Sequence, residues 1–320
     1  MNFFAKAVLL ILSVFFTCLG ISSVGNFFVH SDYFDSLIDK ETRAETLVGP
    51  KLIFAGGSNL AFGINSERIQ NDLNLPCVNM GVNAGLGLKF VLDEAERVSK
   101  KGDIILLCPE YTMPIDGNPD LTEQAVSALP RIYNGFSVKE KIAFQYQRVL
   151  HTLSFERTQN IFWWLVKGDY KKFISKDDPT FVYLRSGFNQ FGDEVSHCIK
   201  KTDNLYSGDT TTVTFGYDKA RIDLINQFSL REKQQGVQVY YMPPCFPRDK
   251  FINDPDSIVA IDRSLRKALL PEEIGSESDF LYPDSLFYNT LYHLNCTGRE
   301  ERTEKLLSFL KSQLHYTSKR

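Results

Sequence analysis

The sequence lacks an excess of charge of either sign: 36 lysines and arginines face 39 aspartates and glutamates, for a formal net charge of −3. Since phosphate binding needs clustered basic side chains, this balance argues against a dedicated nucleic-acid-binding protein. Cysteines are also few, six in 320 residues, which excludes a disulfide-dense miniprotein. Hydrophobic residues are not scarce, at 43%, so a disordered chain is excluded as well. The length fits one large α/β domain or two small ones, and we expect one.

The cysteines form no CxxC pair, so the sequence gives no support to a zinc site or a thioredoxin-like redox site. Three of them, Cys77, Cys108 and Cys245, fall at or near the ends of predicted strands. Cysteine in such places usually behaves as a small buried hydrophobe. A Cys77–Cys108 disulfide would require their two strands to be neighbours.

The N-terminal segment carries no charged residue from Ala7 to Val29. That length is enough for the roughly 20 residues that cross a bilayer as a helix. Lys6 alone precedes the segment, which favours an N-terminus inside and a domain outside the cytoplasm. We expect a membrane anchor within residues 1–30, and the alternative is a signal peptide cleaved near Gly20-Ile21-Ser22 or Ile21-Ser22-Ser23. Either way, residues 31–320 are predicted to work in the periplasm or extracellular space, secreted if the segment is cleaved.

Beyond this segment, short apolar runs alternate with amphipathic stretches. Strands are predicted at residues 50–56, 76–80, 103–108 and 237–243. Helices are predicted from Asn65 or Ser66 to Leu73 and over residues 88–100, 219–235 and 298–314. This alternation predicts an α/β fold with a parallel sheet and helices on both faces. Residues 112–218 interrupt it, helical and aromatic-rich at first and glycine-rich later, and we interpret them as a mainly helical insertion on the sheet.

Two places in this pattern carry residues suited to nucleophilic chemistry. The first strand runs into Gly56-Gly57-Ser58-Asn59, which places Ser58 at the carboxyl edge of the sheet, where open α/β sheets bind ligands. His293 lies in a loop just before the last helix. A serine and a histidine that meet above the sheet supply a nucleophile and a general base. The alternatives are a glycine-rich turn with a capping serine and a structural histidine.

These residues stand in an order that resembles the blocks of the SGNH (GDSL-type) hydrolase superfamily. The matching blocks are Gly57-Ser58-Asn59, Asn79-Met80-Gly81-Val82-Asn83-Ala84-Gly85 and His293-Leu294-Asn295 with Gly298. The sequence is most similar to the membrane-anchored branch that includes the teichoic-acid D-alanylation protein and exopolysaccharide O-acetylation proteins. The resemblance covers residues 50–115 and 235–314.

The resemblance implies a three-layer α/β/α flavodoxin-like sandwich without a metal or a cofactor. Ser58 would be the nucleophile and His293 its base. The oxyanion would be held by backbone amides of Ser58 and of Gly81 or Gly85, whose register the sequence leaves open. A membrane-bound acyltransferase that delivers acyl groups is an implied partner.

The sequence departs from the family pattern in two places. An asparagine is expected as an oxyanion donor after the third strand, where this chain has Glu110. A carboxylate there would repel an oxyanion, so Glu110 must be protonated, turned away or serving another role. An aspartate is expected three or four residues before the histidine, where this chain has Thr290 and Asn289. Asn289 is therefore a candidate to orient His293, and Asp284 is an alternative acid.

Several further polar residues are candidates for a substrate cleft. They are Asn59, Asn83, Glu110, Asn189, Asp193 and His197. For the last three the alternative is a solvated turn in which Asp193 caps a helix.

The expected function is that of an extracytoplasmic acyltransferase or esterase acting on acyl groups, acetyl first among them, of a cell-envelope polysaccharide. The competing hypothesis is a catalytically weak or inactive protein of the same fold that binds glycan or scaffolds a membrane acyltransferase. The missing aspartate and Glu110 favour that second hypothesis. A plain lipase or thioesterase is a third.

Overall fold

The computed structural model describes residues 3–28, 32–152, 182–199, 218–253 and 267–314, together with residues 159, 163, 166 and 167. These residues fall into two compact units. The first, here the helical unit, comprises Met1–Phe34 and Pro119–Phe181; the second, here the sheet unit, comprises Asp35–Asn118 and Val182–Arg320. Part of the predicted insertion thus groups with the N-terminal segment, whereas residues 182–199 belong with the sheet.

The sheet unit is built on five parallel strands in the order β2-β1-β3-β4-β6. Together with a separate parallel pair, β5 and β7, the strands are β1 (Leu52–Gly56), β2 (Cys77–Asn79), β3 (Ile104–Cys108), β4 (Gln238–Tyr241), β5 (Phe246–Pro247), β6 (Glu272–Glu273) and β7 (Leu281–Tyr282). All four predicted strands are present. The central β1 is flanked by β2 and β3, the order typical of flavodoxin-like sheets.

Helices account for most of the remaining described chain. They are α1 (Phe3–Phe28), α2 (Ser36–Thr46), α3 (Ser58–Gly63), α4 (Ser66–Leu73), α5 (Gly87–Val98), α6 (Pro119–Ala128), α7 (Arg131–Gly135), α8 (Val138–Thr152), α9 (Ser196–Ile199), α10 (Lys219–Gln234), α11 (Arg248–Asn253) and α12 (Cys296–Gln313). Asn65 caps α4, since its side chain accepts the Arg68 N–H. The predicted α/β fold is confirmed.

Side chains of β1 alternate between two apolar cores, because a parallel strand inside a sheet is covered on both faces. Leu52 and Phe54 pack into the core that α3, α4 and α12 cover. Ile53 and Ala55 pack into the core beneath α2, α5 and α10. Three layers result, with helices on both sides of the sheet.

The cysteine pairing differs from the one considered above. Cys77 and Cys108 are buried and free, whereas Cys198 and Cys296 form a disulfide. A Cys77–Cys108 bridge cannot form because β1 lies between their strands: Leu52 pairs with Cys77 on one side and with Ile104 of β3 on the other. The disulfide instead joins α9 to the first residue of α12.

The helical unit contains the N-terminal helix α1 and helices α6 to α8. A search of the described residues for a helix long and apolar enough to cross a membrane found none. The anchor stays a prediction. Residues 168–181 and 200–217, which include Gly208 and Gly216 of the predicted loops, lie outside the described residues.

Candidate functional site

Ser58 is the first residue of α3, after Gly56, which ends β1, and Gly57, which precedes the helix. Its side chain is half-buried at the carboxyl edge of the sheet. Both glycines are required by close packing: a Cβ at Gly56 would collide with the Cys108 carbonyl oxygen, and one at Gly57 with the Glu110 carboxyl group. The N–H of Ser58, at the start of the helix, has no acceptor among the described residues. One backbone donor is therefore available beside the hydroxyl group.

Glu110 lies beneath this turn and not in a cleft. Its carboxyl group is about 1% exposed, and Oε1 accepts the Asn59 N–H at 2.9 Å in the first turn of α3. Oε2 has no partner in the described part of the chain. Burial raises the pKa of Glu110, and the hydrogen bonds from Asn59 oppose the shift. Glu110 occupies the position where the SGNH pattern has an oxyanion donor. In this chain it supports the turn at Ser58 by accepting the Asn59 N–H.

Asn59 is also fully buried, so the structure places it outside any surface that a substrate would contact. Its Nδ2 donates to the Cys108 carbonyl oxygen at 2.9 Å. Arg302 of α12 donates to the Asn59 carbonyl oxygen at 2.8 Å and to Oδ1 at 3.0 Å. Arg302 was missed in the sequence, although it stands one and two turns before Leu306 and Leu310 and so shares their buried helix face.

His293 lies against the same helix as Ser58. Its ring stacks on Phe62, with centroids 4.1 Å apart and planes 9° from parallel. Phe62 is four residues after Ser58, so both lie on one face of α3. No hydrogen bond joins Ser58 Oγ to His293 among the bonds of the described residues, and such catalytic bonds are often long in an empty site.

Asn289 is the residue that orients His293. Its Oδ1 lies 2.7 Å from His293 Nδ1, and its Nδ2 donates to the Tyr183 hydroxyl oxygen at 2.9 Å. An amide oxygen only accepts, so Nδ1 carries the proton and Nε2 keeps a lone pair. Asp284, the alternative acid, makes no bond to His293 and leaves Oδ1 without a partner among the described residues. The structure thus brings Asn289, and not Asp284, to the imidazole ring.

A second histidine, His197, also contacts Phe62. Its ring lies 5.0 Å from Phe62 and 5.5 Å from Tyr288, and its side chain is buried. Burial lowers the pKa of His293 to about 3, with a further contribution from His197. Burial and Arg299 lower the pKa of His197 to about 4. Both rings are therefore neutral near pH 7, and such low pKa values also make them weak proton acceptors.

The two histidines predict acid sensitivity. Their pKa values in the folded protein lie below the ordinary 6.5, so the unfolded chain binds more protons between pH 6.5 and about 4. The free energy of unfolding should therefore decrease as the pH falls through this window. Urea unfolding from about pH 7 to about pH 4 measures the slope, and His293→Gln should reduce it. Equal slopes for the wild type and His293→Gln would contradict the lowered pKa of His293.

Gly81 is the glycine of the second block that lies beside the serine turn. A Cβ there would sit 2.7 Å from the Gly57 carbonyl oxygen. Its N–H, however, donates to Asn79 Oδ1 at 2.9 Å, and the Gly85 N–H donates to Asn83 Oδ1 at 2.8 Å. Both predicted glycine donors are engaged, and Asn83 caps a short turn. Of the backbone N–H groups of Ser58, Gly81 and Gly85, the one without an acceptor among the described residues is that of Ser58.

Asp193 is a buried junction between four elements and not part of a solvated turn. Oδ1 accepts from Ser66 Oγ at 2.5 Å and from Asn79 Nδ2 at 2.8 Å. Oδ2 accepts the Ser66 N–H at 2.8 Å, at the start of α4, and forms an ion pair with Arg299 at 3.1 Å. Asn189 shapes the loop, since its Oδ1 accepts the Asp193 N–H at 3.0 Å.

Lys40 of α2 completes this junction. Its ammonium group donates to the carbonyl oxygens of Asn79, at 2.9 Å, Gly81, at 2.8 Å, and Gly192. Burial lowers the pKa of Lys40 to about 7, and Asp193 opposes that shift. Lys40 and Asp193 thus hold the end of β2 and the loop after it through hydrogen bonds to Asn79 and Gly81.

A small pocket opens beside the end of β1. Its volume is about 10 Å³, room for one water-sized group. It is lined by Ala55, Gly56, Met80, Val82, Asn83, Leu86, Phe90, Val91 and Glu94. Burial raises the pKa of Glu94 to about 8. The walls are mostly apolar, and the lining residue nearest to Ser58 in sequence is Gly56, two residues before it.

One group of potential metal ligands comes together in the described residues, namely His197, Cys198 and Cys296. The two sulfur atoms are bonded to each other and are not thiolate ligands. The group therefore describes a disulfide beside a histidine.

A scan against protein-family models found no family that matches this chain, and a search of curated proteins found no similar protein. The SGNH resemblance therefore rests on the sequence blocks quoted above and stays an expectation.

Proposed function

We infer that this protein is an extracytoplasmic serine acyltransferase or esterase that acts on small acyl groups of a cell-envelope polysaccharide. The observation that carries this proposal is the placement of His293. Its ring is stacked on the helix that begins with Ser58, Asn289 holds Nδ1, and Nε2 is left as a proton acceptor. A neutral imidazole beside a serine at a helix start is the minimal pair for ester chemistry.

The reaction follows from these groups. His293 Nε2 accepts the Ser58 hydroxyl proton while Oγ bonds to the carbonyl carbon of the donor ester. The Ser58 N–H donates to the resulting oxyanion. When the intermediate collapses, the donor alcohol leaves with the proton from His293, and Ser58 carries the acyl group. A sugar hydroxyl or water then attacks the acyl carbon and gives its proton to His293. When this second intermediate collapses, His293 returns the proton to Ser58 Oγ, and the new ester or the free acid leaves.

One observation supports the compartment. The Cys198–Cys296 disulfide favours an oxidising compartment outside the cytoplasm. Anchoring by the N-terminal segment and delivery of acyl groups by a membrane-bound acyltransferase belong to the same proposal.

A second candidate is an inactive glycan-binding or scaffolding protein of this fold. It is favoured by Asn289, which cannot stabilise an imidazolium ion as a carboxylate does. In a serine protease the aspartate-to-asparagine change lowers turnover by about 10⁴. The engaged N–H of Gly81 also favours it.

Labelling with a fluorophosphonate separates the two candidates. We expect the wild-type chain to be labelled at Ser58, Ser58→Ala to give no label, and His293→Gln to label at least about 10²-fold more slowly because the general base is lost. Intact-mass measurement follows the adduct. Ser285→Ala is a matched control that should label as the wild type does. Absence of any adduct on the wild type would reject catalysis and leave the binding protein.

A further inference from the structure

Helix α8 of the helical unit carries an exposed apolar stripe. At 100° per residue, five large side chains fall within about 120° of its circumference. They are Val138, Ile142, Tyr146, Val149 and Leu150, and they are 75%, 66%, 61%, 54% and 47% exposed. A contiguous row of this kind is uncommon on a soluble surface and indicates a binding face.

The stripe is not the result of an undocked helix, since other side chains of α8 fix its orientation. Phe144 packs on Tyr133, with ring centroids 5.5 Å apart, and on Phe136 at 5.8 Å. Arg148 pairs with Glu123 of α6 at 3.3 Å. These contacts lie on the side opposite the stripe, so α8 presents its apolar residues outward while its other face is held by α6 and α7.

The surroundings of the stripe indicate what covers it. Helix α1, which carries no charge from Ala7 onward and has exposed Leu10 and Phe16, packs against α8 in the same unit. Trp163 is 48% exposed in the same part of the chain, and tryptophan favours the boundary between lipid and water. Lys139 lies within the arc of the stripe, between Tyr146 and Leu150, and Glu140 is the single acidic residue of α8. The positive charge of Lys139 favours binding to anionic headgroups. Lys141 lies outside the arc and contacts the Tyr133 ring of α7.

We propose that the stripe of α8 lies in the interface of an anionic lipid bilayer, parallel to its surface, beside α1. An amphipathic helix with an apolar face and flanking lysines binds in this way, at a depth of roughly 5–10 Å. The contact would hold the helical unit flat on the membrane. The inference uses the extracytoplasmic, membrane-associated location of the proposed function but not its chemistry.

A local probe on α8 tests the contact in the full-length chain. Ile142→Cys, on the stripe, and Gln147→Cys, on the opposite side, are each labelled with an environment-sensitive fluorophore, and the unsubstituted chain gives the background. The proteins are reconstituted into phosphatidylcholine–phosphatidylglycerol vesicles whose acyl chains carry bromine. For a helix buried to the acyl boundary we expect emission from position 142 to fall by about half and emission from position 147 to stay unchanged.

The controls separate this inference from its premises. Vesicle flotation reports membrane association of the whole chain, and Ser58 labelling reports the chemistry. Flotation without quenching at position 142 would overturn the α8 contact while leaving the anchor intact, and absence of flotation would overturn both. Concentration-dependent shielding of position 142 without vesicles would overturn the contact in favour of a second copy of the chain. The Ser58→Ala variant does not react with the fluorophosphonate. If the fluorophore at position 142 is still quenched in that variant, the membrane contact is independent of catalysis.

Discussion

Replacing Cys198 and Cys296 with serine is expected to lower the free energy of unfolding by about 4–5 kcal/mol. The bridge closes a loop of 98 residues, and a long closed loop removes much conformational freedom from the unfolded chain. It also joins the residue after His197 to a position three residues beyond His293. Loss of the bridge should therefore slow Ser58 labelling as well as destabilise the fold. Denaturant unfolding at pH 7 measures the first effect.

Reductant supplies the internal control for this prediction. The wild-type chain with reductant should unfold at the same denaturant concentration as the Cys198→Ser, Cys296→Ser double variant, which should itself be indifferent to reductant. Cys245 is buried and free, so it does not contribute to this difference. A wild-type midpoint that does not move with reductant would show that the bridge is not formed in solution.

The Asp193→Asn substitution is expected to cost about 3–5 kcal/mol, since it leaves buried cations without their carboxylate. Arg299 is about 8% exposed and loses its ion-pair partner. The pKa of Lys40, already lowered to about 7 by burial, should fall further because Asp193 opposes that shift. The new amide group would also direct hydrogen-bond donors at the donors of Ser66.

Asp39→Asn is the matched control for this charge removal. Asp39 pairs with Arg185 at 2.7 Å, but the two side chains are 53% and 41% exposed. A solvent-exposed pair of this kind contributes less than about 1 kcal/mol. If Asp193→Asn and Asp39→Asn destabilised the protein equally, the buried contacts of Asp193 would contribute no more to stability than an exposed ion pair does. Denaturant midpoints and slopes, compared with the wild type, give the two values.

The local elements of the fold could be predicted because each has a short-range cause. The run at residues 103–108 is almost entirely apolar, so its burial is favourable, and residues Ile104–Cys108 form β3. Asn65 caps α4 because its side chain accepts a hydrogen bond from the backbone N–H three residues on. Ser58 follows a buried strand and therefore reaches the carboxyl edge of the sheet.

The candidate site was predictable only in part, since its contacts join distant segments. The sequence offers Asn289 at the expected spacing before His293 and Asp284 as an alternative acid, and the loop geometry selects Asn289. The sequence gives Asp193 a solvated turn as the alternative to a substrate cleft, and it leaves the role of Glu110 open. Each is buried because partners more than 50 positions away supply its hydrogen bonds.

The sequence by itself thus determined the alternation of strands and helices, the apolar N-terminal segment, the position of Ser58 after the first strand and that of His293 before the last helix. The tertiary structure alone decided which cysteines pair, which residue orients the imidazole ring and which N–H beside Ser58 is open. The reason is physical: hydrophobic periodicity and helix caps act over a few residues, whereas strand order and burial depend on the whole chain. The strand order β2-β1-β3, for instance, keeps Cys77 from Cys108, while the fold places Cys198 of α9 next to Cys296, the first residue of α12.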